Sequence, residues 1–406
     1  MKTDFDAIIV GSGPSGCSTA LHLARLDPTM AARTLVLEKA SHPRYKLCGG
    51  GVVSDVDVIL KNLGLDINEV PYADARVAQL NFKDRGFPIT LSHIAFHVVR
   101  RREFDAWLAG KVQQSGIALQ DQTRVDDVRP TASGVEVHTS RGVYRARVVV
   151  GCDGSKGVVR RAVHGEDGGP VARVIEVITP PPPGGSEPPH PRDEAIFDFR
   201  FVPDGMQGYF WSFPMVDGGK PMRNLGVYDS RTVEATSSGS LKEFLAPELI
   251  KQGLRLEDCK IEGHPIHTFT PRTRLSAPGV ILAGDAAGAD PLLGEGISLA
   301  MGYGDLASRA VLDAFAADDF RFTDYAQRVH SSPMGRALRR RYRGARLIYG
   351  VRSPLLQRLV WWHCQTLVRS VIRNYMFRWA RPGLPAPVAV PRGLPSALPS
   401  LDIAQR

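Results

Sequence analysis

The most constraining feature of this chain lies near its N-terminus, where the run Phe5-Asp6-Ala7-Ile8-Ile9-Val10 enters Gly11-Ser12-Gly13-Pro14-Ser15-Gly16. The apolar run reads as a buried parallel strand, and the glycines after it as a tight turn. A helix-compatible stretch, 17–26, and a second apolar strand, Thr34-Leu35-Val36-Leu37, follow before Glu38. This is a βαβ unit, which commits the region to a parallel sheet with helices packed on it. A GxGxxG turn here lets the backbone approach a pyrophosphate at a helix N-terminus, where unpaired N–H groups and the dipole favour anions. Glu38 stands 22 residues beyond Gly16, placed to accept ribose hydroxyl protons, and an acid there disfavours a 2′-phosphate. On these residues the site takes FAD or NAD, bound by Gly11, Gly13, Pro14, Ser15, Gly16, Glu38 and Lys39.

The buried-strand pattern returns at 148–150, before Gly151-Cys152-Asp153-Gly154, and again at 279–283, before Gly284-Asp285. A long helical segment is expected from about 296 to 315. Between these lie 196–201, with period-two alternation, Tyr209-Phe210-Trp211-Ser212-Phe213-Pro214, and Asn224-Leu225-Gly226-Val227-Tyr228, read as antiparallel strands. The expected class is α/β. A nucleotide domain of 1–75, 100–167 and 270–324 is interrupted by a substrate sheet of 76–99 and 168–269. Seven prolines between 180 and 191 mark an exposed linker. A basic helical region, 325–381, and a Pro-rich, disordered tail, 382–406, complete the chain.

With 43% hydrophobic and 23% charged residues over 406 positions, the chain is globular rather than disordered or fibrous. Five scattered cysteines provide neither a disulfide framework nor a paired metal site, so a reducing, cytoplasmic setting and no metal are expected. No apolar run approaches the ~18 residues of a spanning helix. The net charge of +9 divides unevenly, with +14 on residues 325–406 and −5 on the rest. Over 354–379, Leu356, Val360, Leu367 and Val371 fall on one helical side and Arg358, Gln365, Arg369 and Arg373 on another, with Trp361, Trp362 and Trp379 at the apolar flank. Such a helix lies either at an anionic membrane interface, making the protein peripheral, or on the protein's own surface. No DNA-binding module accompanies the arginines, so nucleic acid is not an expected partner.

Taken in order, 11–16, Gly151-Cys152-Asp153-Gly154, and Gly284-Asp285 with Pro291-Leu292-Leu293-Gly294-Glu295-Gly296-Ile297 resemble the FAD signatures of the flavoproteins built like para-hydroxybenzoate hydroxylase. Arg101-Arg102-Glu103-Phe104-Asp105 matches that group's Arg-x-x-Phe-Asp element. Two further segments look like the geranylgeranyl reductase family within it. Tyr209-x-Trp211-x-Phe213-Pro214 matches its Tyr-x-Trp-x-Phe-Pro element, and Lys46-Leu47-Cys48-Gly49-Gly50-Gly51 resembles its Cys-Gly-rich flavin loop, with Leu47 in place of the usual proline.

The resemblance implies an FAD-binding Rossmann-like fold carrying an antiparallel substrate domain. It implies that Arg101 reaches the FAD pyrophosphate or ribose and that Asp285 accepts ribitol hydroxyl protons. Gly294, Gly296 and Ile297 then open a helix toward the isoalloxazine, where its dipole favours anionic reduced flavin. Asp153 either contacts the cofactor or caps its own turn. Cys48, with Gly49 and Gly50, sits at the flavin as a proton donor or a pocket wall, and Tyr209, Trp211 and Phe213 form a substrate wall or a sheet core. The implied activity is FAD-dependent saturation of C=C bonds in a polyprenyl, geranylgeranyl-type, lipid-like substrate. The alternative is a monooxygenase or related tailoring enzyme acting on an aromatic or terpenoid compound. No second dinucleotide motif is present, leaving NAD(P)H or a reduced protein carrier as electron donor. Trp-x-Trp-x-Ile-Pro, an element of flavin halogenases, is absent where 209–214 stands.

Overall fold

The computed structural model describes residues 3–90, 96–165, 169–180, 193–234, 239–372 and 378–382. At the centre of its first sheet the Phe5–Val10 strand lies parallel between Thr34–Leu37 and Gly142–Gly151, with Ile8 opposite both Leu35 and Val149. Ala118–Gln120 and Val280–Leu282 extend the parallel sheet on either side. Val125–Thr131 and Gly134–Thr139 form an antiparallel flank on Gly142–Gly151. Ala7, Ile8, Ile9 and Val36 are wholly inaccessible to solvent, as an unbroken apolar strand in a helix-covered parallel sheet must be. The helix Pro14–Leu26 starts with proline in its first turn, where the missing N–H costs nothing. It packs along Ile297–Ala317, and Ser18 Oγ donates to the Met301 carbonyl at 2.7 Å.

Among the described residues the second sheet has seven strands, in the order Glu262–His267, Val171–Thr179, Lys220–Asp229, Gly208–Asp217, Glu194–Asp198, Val77–Phe82 and Arg85–Thr90. Every pairing is antiparallel except that of Glu194–Asp198 with Val77–Phe82. Two expectations need correction. The strand expected over 196–201 ends at Asp198, because the Asp198 carboxylate takes up the Arg200 N–H at 2.9 Å and its guanidinium, closing a turn. Phe96–Val99, grouped above with the substrate sheet, pairs instead with Gly51–Val53 and Tyr72–Asp74 in a small third sheet.

The tail departs furthest from expectation. It folds as Tyr325–Ser331, Pro333–Gly350, Pro354–Arg358, a π-type turn Leu359–His363, and Gln365–Val371. The single amphipathic helix expected over 354–379 is therefore broken, and its tryptophans turn inward. Trp361 stacks on Phe199 at 4.4 Å between ring centroids, and Trp362 Nε1 donates to the Phe82 carbonyl at 3.1 Å. Trp379 covers Gly302, where any side chain would strike its ring. Arg358 and Arg369 lie over the rings of Trp362 and Phe87 at 5.2 and 5.1 Å. Arg373, the proline-rich stretch 181–192 and the segment 383–406 lie outside the described residues. Among the described residues no helix is long and apolar enough to cross a membrane.

One tail arginine is wholly buried. Arg341 sits 3.2 Å from Asp290 Oδ2 and 3.0 Å from Glu295 Oε2, tying the Pro333–Gly350 helix to the loop 290–296. Removing one member of a buried ion cluster leaves the others uncompensated, at a cost of about 3–5 kcal/mol. Arg341→Met should lower the thermal midpoint by several degrees, and adding Asp290→Asn and Glu295→Gln should recover most of the loss. A single variant as stable as the parent in differential scanning calorimetry would contradict this role.

Candidate active site

A cavity of about 790 Å³ runs between the two large sheets. One end is polar, bounded by Gly11, Gly13, Ser15, Glu38, Lys39, Arg44, Arg101 and Asp153. The other is apolar, bounded by Val174, Phe197, Tyr209, Trp211, Phe213, Ile266 and Leu293. Of the residues singled out from the sequence, Pro14, Cys48, Gly49, Gly50, Asp285, Gly294, Gly296 and Ile297 also line it. Gly16 and Gly284 do not: they act behind the wall. A Cβ on Gly16 would stand 1.8 Å from the Gly11 carbonyl oxygen, and one on Gly284 2.7 Å from Ser15 Cβ. Their absent side chains let the turn close and the helix Pro14–Leu26 sit tight against the next loop.

The polar end is built for a phosphate group. Over Gly13, the Arg44 and Arg101 guanidiniums stand 3.7 and 3.9 Å from where a Cβ would be, so the turn is open to a ligand and roofed by cations. Asp105, fully buried, holds both: Arg101 bonds it bidentately at 2.7 and 2.8 Å, and Arg44 Nη1 lies 3.2 Å away. Farther along the wall, burial and then Lys46, Lys156, Lys39 and Arg101 push His264 down to about 3. Glu38 accepts from Ser12 N at 3.2 Å, Ser12 Oγ at 2.8 Å and Ala40 N at 3.1 Å. Burial opposes its ionisation, but Arg44 and Ser12 outweigh burial and hold the carboxyl below the usual range. Each carboxylate oxygen can accept more than one donor, so Oε1 can still take a ribose hydroxyl. Asp285 Oδ1 lies 3.5 Å from where a Cβ on Gly296 would stand, which brings two separate signatures together. Diphosphate, ribose and ring thus each meet fitting groups, so the residues present suit FAD.

Between the two ends lies the 44–51 loop, held by groups that sequence reasoning missed. Glu176, buried in the strand Val171–Thr179, accepts from Cys48 N at 3.0 Å, Asn224 Nδ2 at 3.0 Å and Tyr45 OH at 2.9 Å. Asn224 Nδ2 also donates to the Cys48 carbonyl at 3.0 Å, while its Oδ1 accepts from Trp211 Nε1 at 2.8 Å. Burial pushes the Glu176 carboxyl up despite these donors. Cys48 is thereby clamped to the substrate sheet on both sides of its backbone. Gly49 lies flat on the aromatic wall, where a Cβ would come within 3.2 Å of the Phe213 ring. A lone acid in the run Val-Ala-Arg-Val-Ile-Glu-Val-Ile-Thr was the one available signal for Glu176; Arg44, Lys46 and Asn224 carried none beyond their neighbours. The opposite wall is equally fixed. The carbonyls of Asp290, Pro291, Leu292 and Leu293 accept, in turn, the hydroxyls of Tyr228, Ser230, Tyr349 and Tyr209.

Asp153 serves its own turn: Oδ2 accepts from Val159 N at 3.0 Å at the start of Val158–His164, while Oδ1 has no partner among the described residues. Burial pushes this carboxyl up to about 6, against the amide donors. An acid with a native pKa near 6, against ~3.9 unfolded, stabilises the native state fully below about pH 4, and this contribution is lost as pH rises through about 6. Asp153→Asn keeps an acceptor for Val159 and cannot ionise. In flavin-free protein it should therefore flatten the fall of the melting midpoint across that window; parallel curves for parent and variant would contradict the assignment.

Comparison with known proteins bears on the fold and the family. The geranylgeranyl diphosphate reductase of Rhodobacter capsulatus is 27% identical over 323 residues, covering 76% of this chain and 75% of that protein. The crystal structure of a geranylgeranyl bacteriochlorophyll reductase-like protein from Thermoplasma acidophilum superposes with a TM-score of 0.73 at 19% identity, covering 91% of this chain and 96% of the other. A halogenase in complex with FAD superposes with a TM-score of 0.63 at 15% identity, covering 92% and 84%, which speaks to the fold alone. Residues 4–305 match the FAD binding domain family, and the chain belongs to that family as an FAD-dependent oxidoreductase.

Proposed function

We propose that the protein saturates isolated carbon–carbon double bonds in a polyprenyl chain. The observation that carries this reading is the apolar end of the cavity. Phe96, Phe197, Tyr209, Trp211 and Phe213 wall it, and the thiol of Cys48 stands where it meets the polar end. An unactivated alkene has no carbonyl to polarise, so such a site works by excluding water and fixing the chain, a task that an aromatic wall suits. The name of the Rhodobacter relative supports the same chemistry.

Saturation places a hydride on one alkene carbon and a proton on the other. Reduced FAD supplies the hydride when bound. The proton comes from Cys48 Sγ. Gly50 N donates to that sulfur at 3.4 Å, and the Arg101 guanidinium is near enough to attract negative charge there. The negative charge left when the proton departs thus meets an N–H donor and a cation. Trp211 and Phe213 line the apolar end, where a ring face turned to the bound chain would stabilise positive charge that builds on carbon as the proton arrives. Glu176 and Asn224 act at one remove, as positioning residues that hold the Cys48 backbone.

Anaerobic photoreduction followed by stopped-flow mixing tests the reading. A prenyl diphosphate or prenylated lipid should reoxidise the flavin, whereas oxygen with an aromatic compound should give no oxygenated product; the reverse pattern would sink the proposal. Cys48→Ala should keep its flavin and slow prenyl-dependent reoxidation ~10²–10⁴-fold, the range for lost proton transfer. A rate within about twofold of the parent would reduce Cys48 to a packing residue. Glu176→Gln turns an amide N–H toward existing donors, and the lost buried hydrogen bonds should slow the same step about ten- to hundredfold. Combined with Cys48→Ala it should add almost nothing if it acts only through that thiol. Full additivity would deny it the positioning role.

A further inference from the structure

Five of the eight large apolar side chains exposed on the described surface fall within one stretch of 21 residues: Leu347, Leu355, Leu356, Leu359 and Leu367, 50–71% accessible. Scattered exposed leucines are ordinary, but a cluster marks a contact surface. The tail's own packing does not use this face. The inward side of the same stretch is already seated on the substrate sheet through Val360, Trp361, Trp362 and Val368. The charge around the leucines is of one sign. Residues 333–372 contain nine arginines and no acidic residue. On the Pro333–Gly350 helix, the exposed Arg336, Arg340 and Arg343 share one stripe with Leu347, at helical spacings of three and four.

We infer that this leucine face and its arginine border dock the protein on an anionic lipid bilayer. Leucines reach the acyl boundary while guanidiniums meet headgroup phosphates. The arginines of residues 333–372, with no acid among them, turn this face toward negative charge. The surface keeps Leu356 and Leu367 of the apolar side expected from sequence, gains Leu347, Leu355 and Leu359, and loses Val360 and the tryptophans, which point inward. The docked face is also close to the cavity. Trp361 stacks on Phe199 at 4.4 Å, and Phe199 packs at 5.4 Å on Tyr209, a wall residue. Two rings, Trp361 and Phe199, separate a bilayer at this face from the wall of the apolar end.

Co-sedimentation of the flavin-loaded full chain with vesicles tests the inference. Vesicles of phosphatidylcholine alone are compared with vesicles containing about one third phosphatidylglycerol, at physiological salt and at ~1 M, where the Debye length falls from ~8 to ~3 Å. Binding should require the anionic lipid and fall several-fold at high salt. Leu355, Leu356, Leu359 and Leu367 all changed to Ser should lower it by on the order of tenfold or more. Flavin content and melting midpoint should stay at the parent values, since all four side chains already face solvent. Changing Arg336, Arg340 and Arg343 to Gln should weaken binding to anionic vesicles. Equal binding to neutral vesicles, or binding indifferent to the leucine changes, would overturn the assignment. So would absence of vesicle binding together with a leucine-dependent dimer in light scattering, which would give the face to a second copy. Vesicle binding is measured without turnover, so it stands or falls separately from the alkene reading.

Discussion

The site depends on a rigid seam between two sheets that have no strand in common. Four consecutive carbonyls, from Asp290 to Leu293, would be costly to bury without donors. They are satisfied by hydroxyls from the substrate sheet (Tyr209, Tyr228), the loop after its strand Lys220–Asp229 (Ser230) and the tail (Tyr349). Arg341 adds the buried charge pairing with Asp290 and Glu295. The segment that opens the helix Ile297–Ala317, at the edge of the cavity, is thereby fixed from two directions. A group placed there needs no reorganisation at the moment of reaction, which is the condition under which dipoles and donors contribute most.

The opposite side of the cavity is held by a different device with the same result. Glu176, Asn224 and Trp211 form a buried polar chain within the sheet, and its free ends bind the Cys48 backbone. Every member is paired, which makes a buried polar network tolerable. The arrangement also divides labour along the cavity. Arginines and lysines gather at one end, aromatic rings at the other, and Cys48 lines the wall with both.

Much of this was legible in the sequence because it is local. The strand–turn–helix–strand at 5–38 announces itself through an apolar run, glycine spacing and a terminal acid, and the structure places those residues as the βαβ reading requires. The aromatic alternation of Tyr209, Trp211 and Phe213 likewise put three rings on one face. What sequence could not show is pairing at a distance. Glu176 stands out as an acid in an apolar strand, yet nothing local connects it with Cys48, 128 residues earlier. The glycines Gly16 and Gly284 belong to signatures but serve packing, a distinction that only the neighbouring backbone reveals. In the tail, helical periodicity suggested one continuous amphipathic helix. Contacts with Phe82, Phe199 and Gly302 instead drew the tryptophans inward and broke the helix, a tertiary override that no periodicity count contains.

The central claim is that one cavity joins a flavin to an apolar chain and passes a hydride and a proton to the same double bond. The most direct measurement is a single anaerobic turnover in deuterium oxide, with the protein photoreduced in that solvent and geranylgeranyl diphosphate as substrate, followed by mass and NMR analysis of the recovered lipid. The account predicts one saturated bond per flavin reoxidised, with one deuteron on each of the two former alkene carbons. Flavin reoxidation that leaves the lipid unsaturated, or a product carrying oxygen in place of the second deuteron, would contradict it.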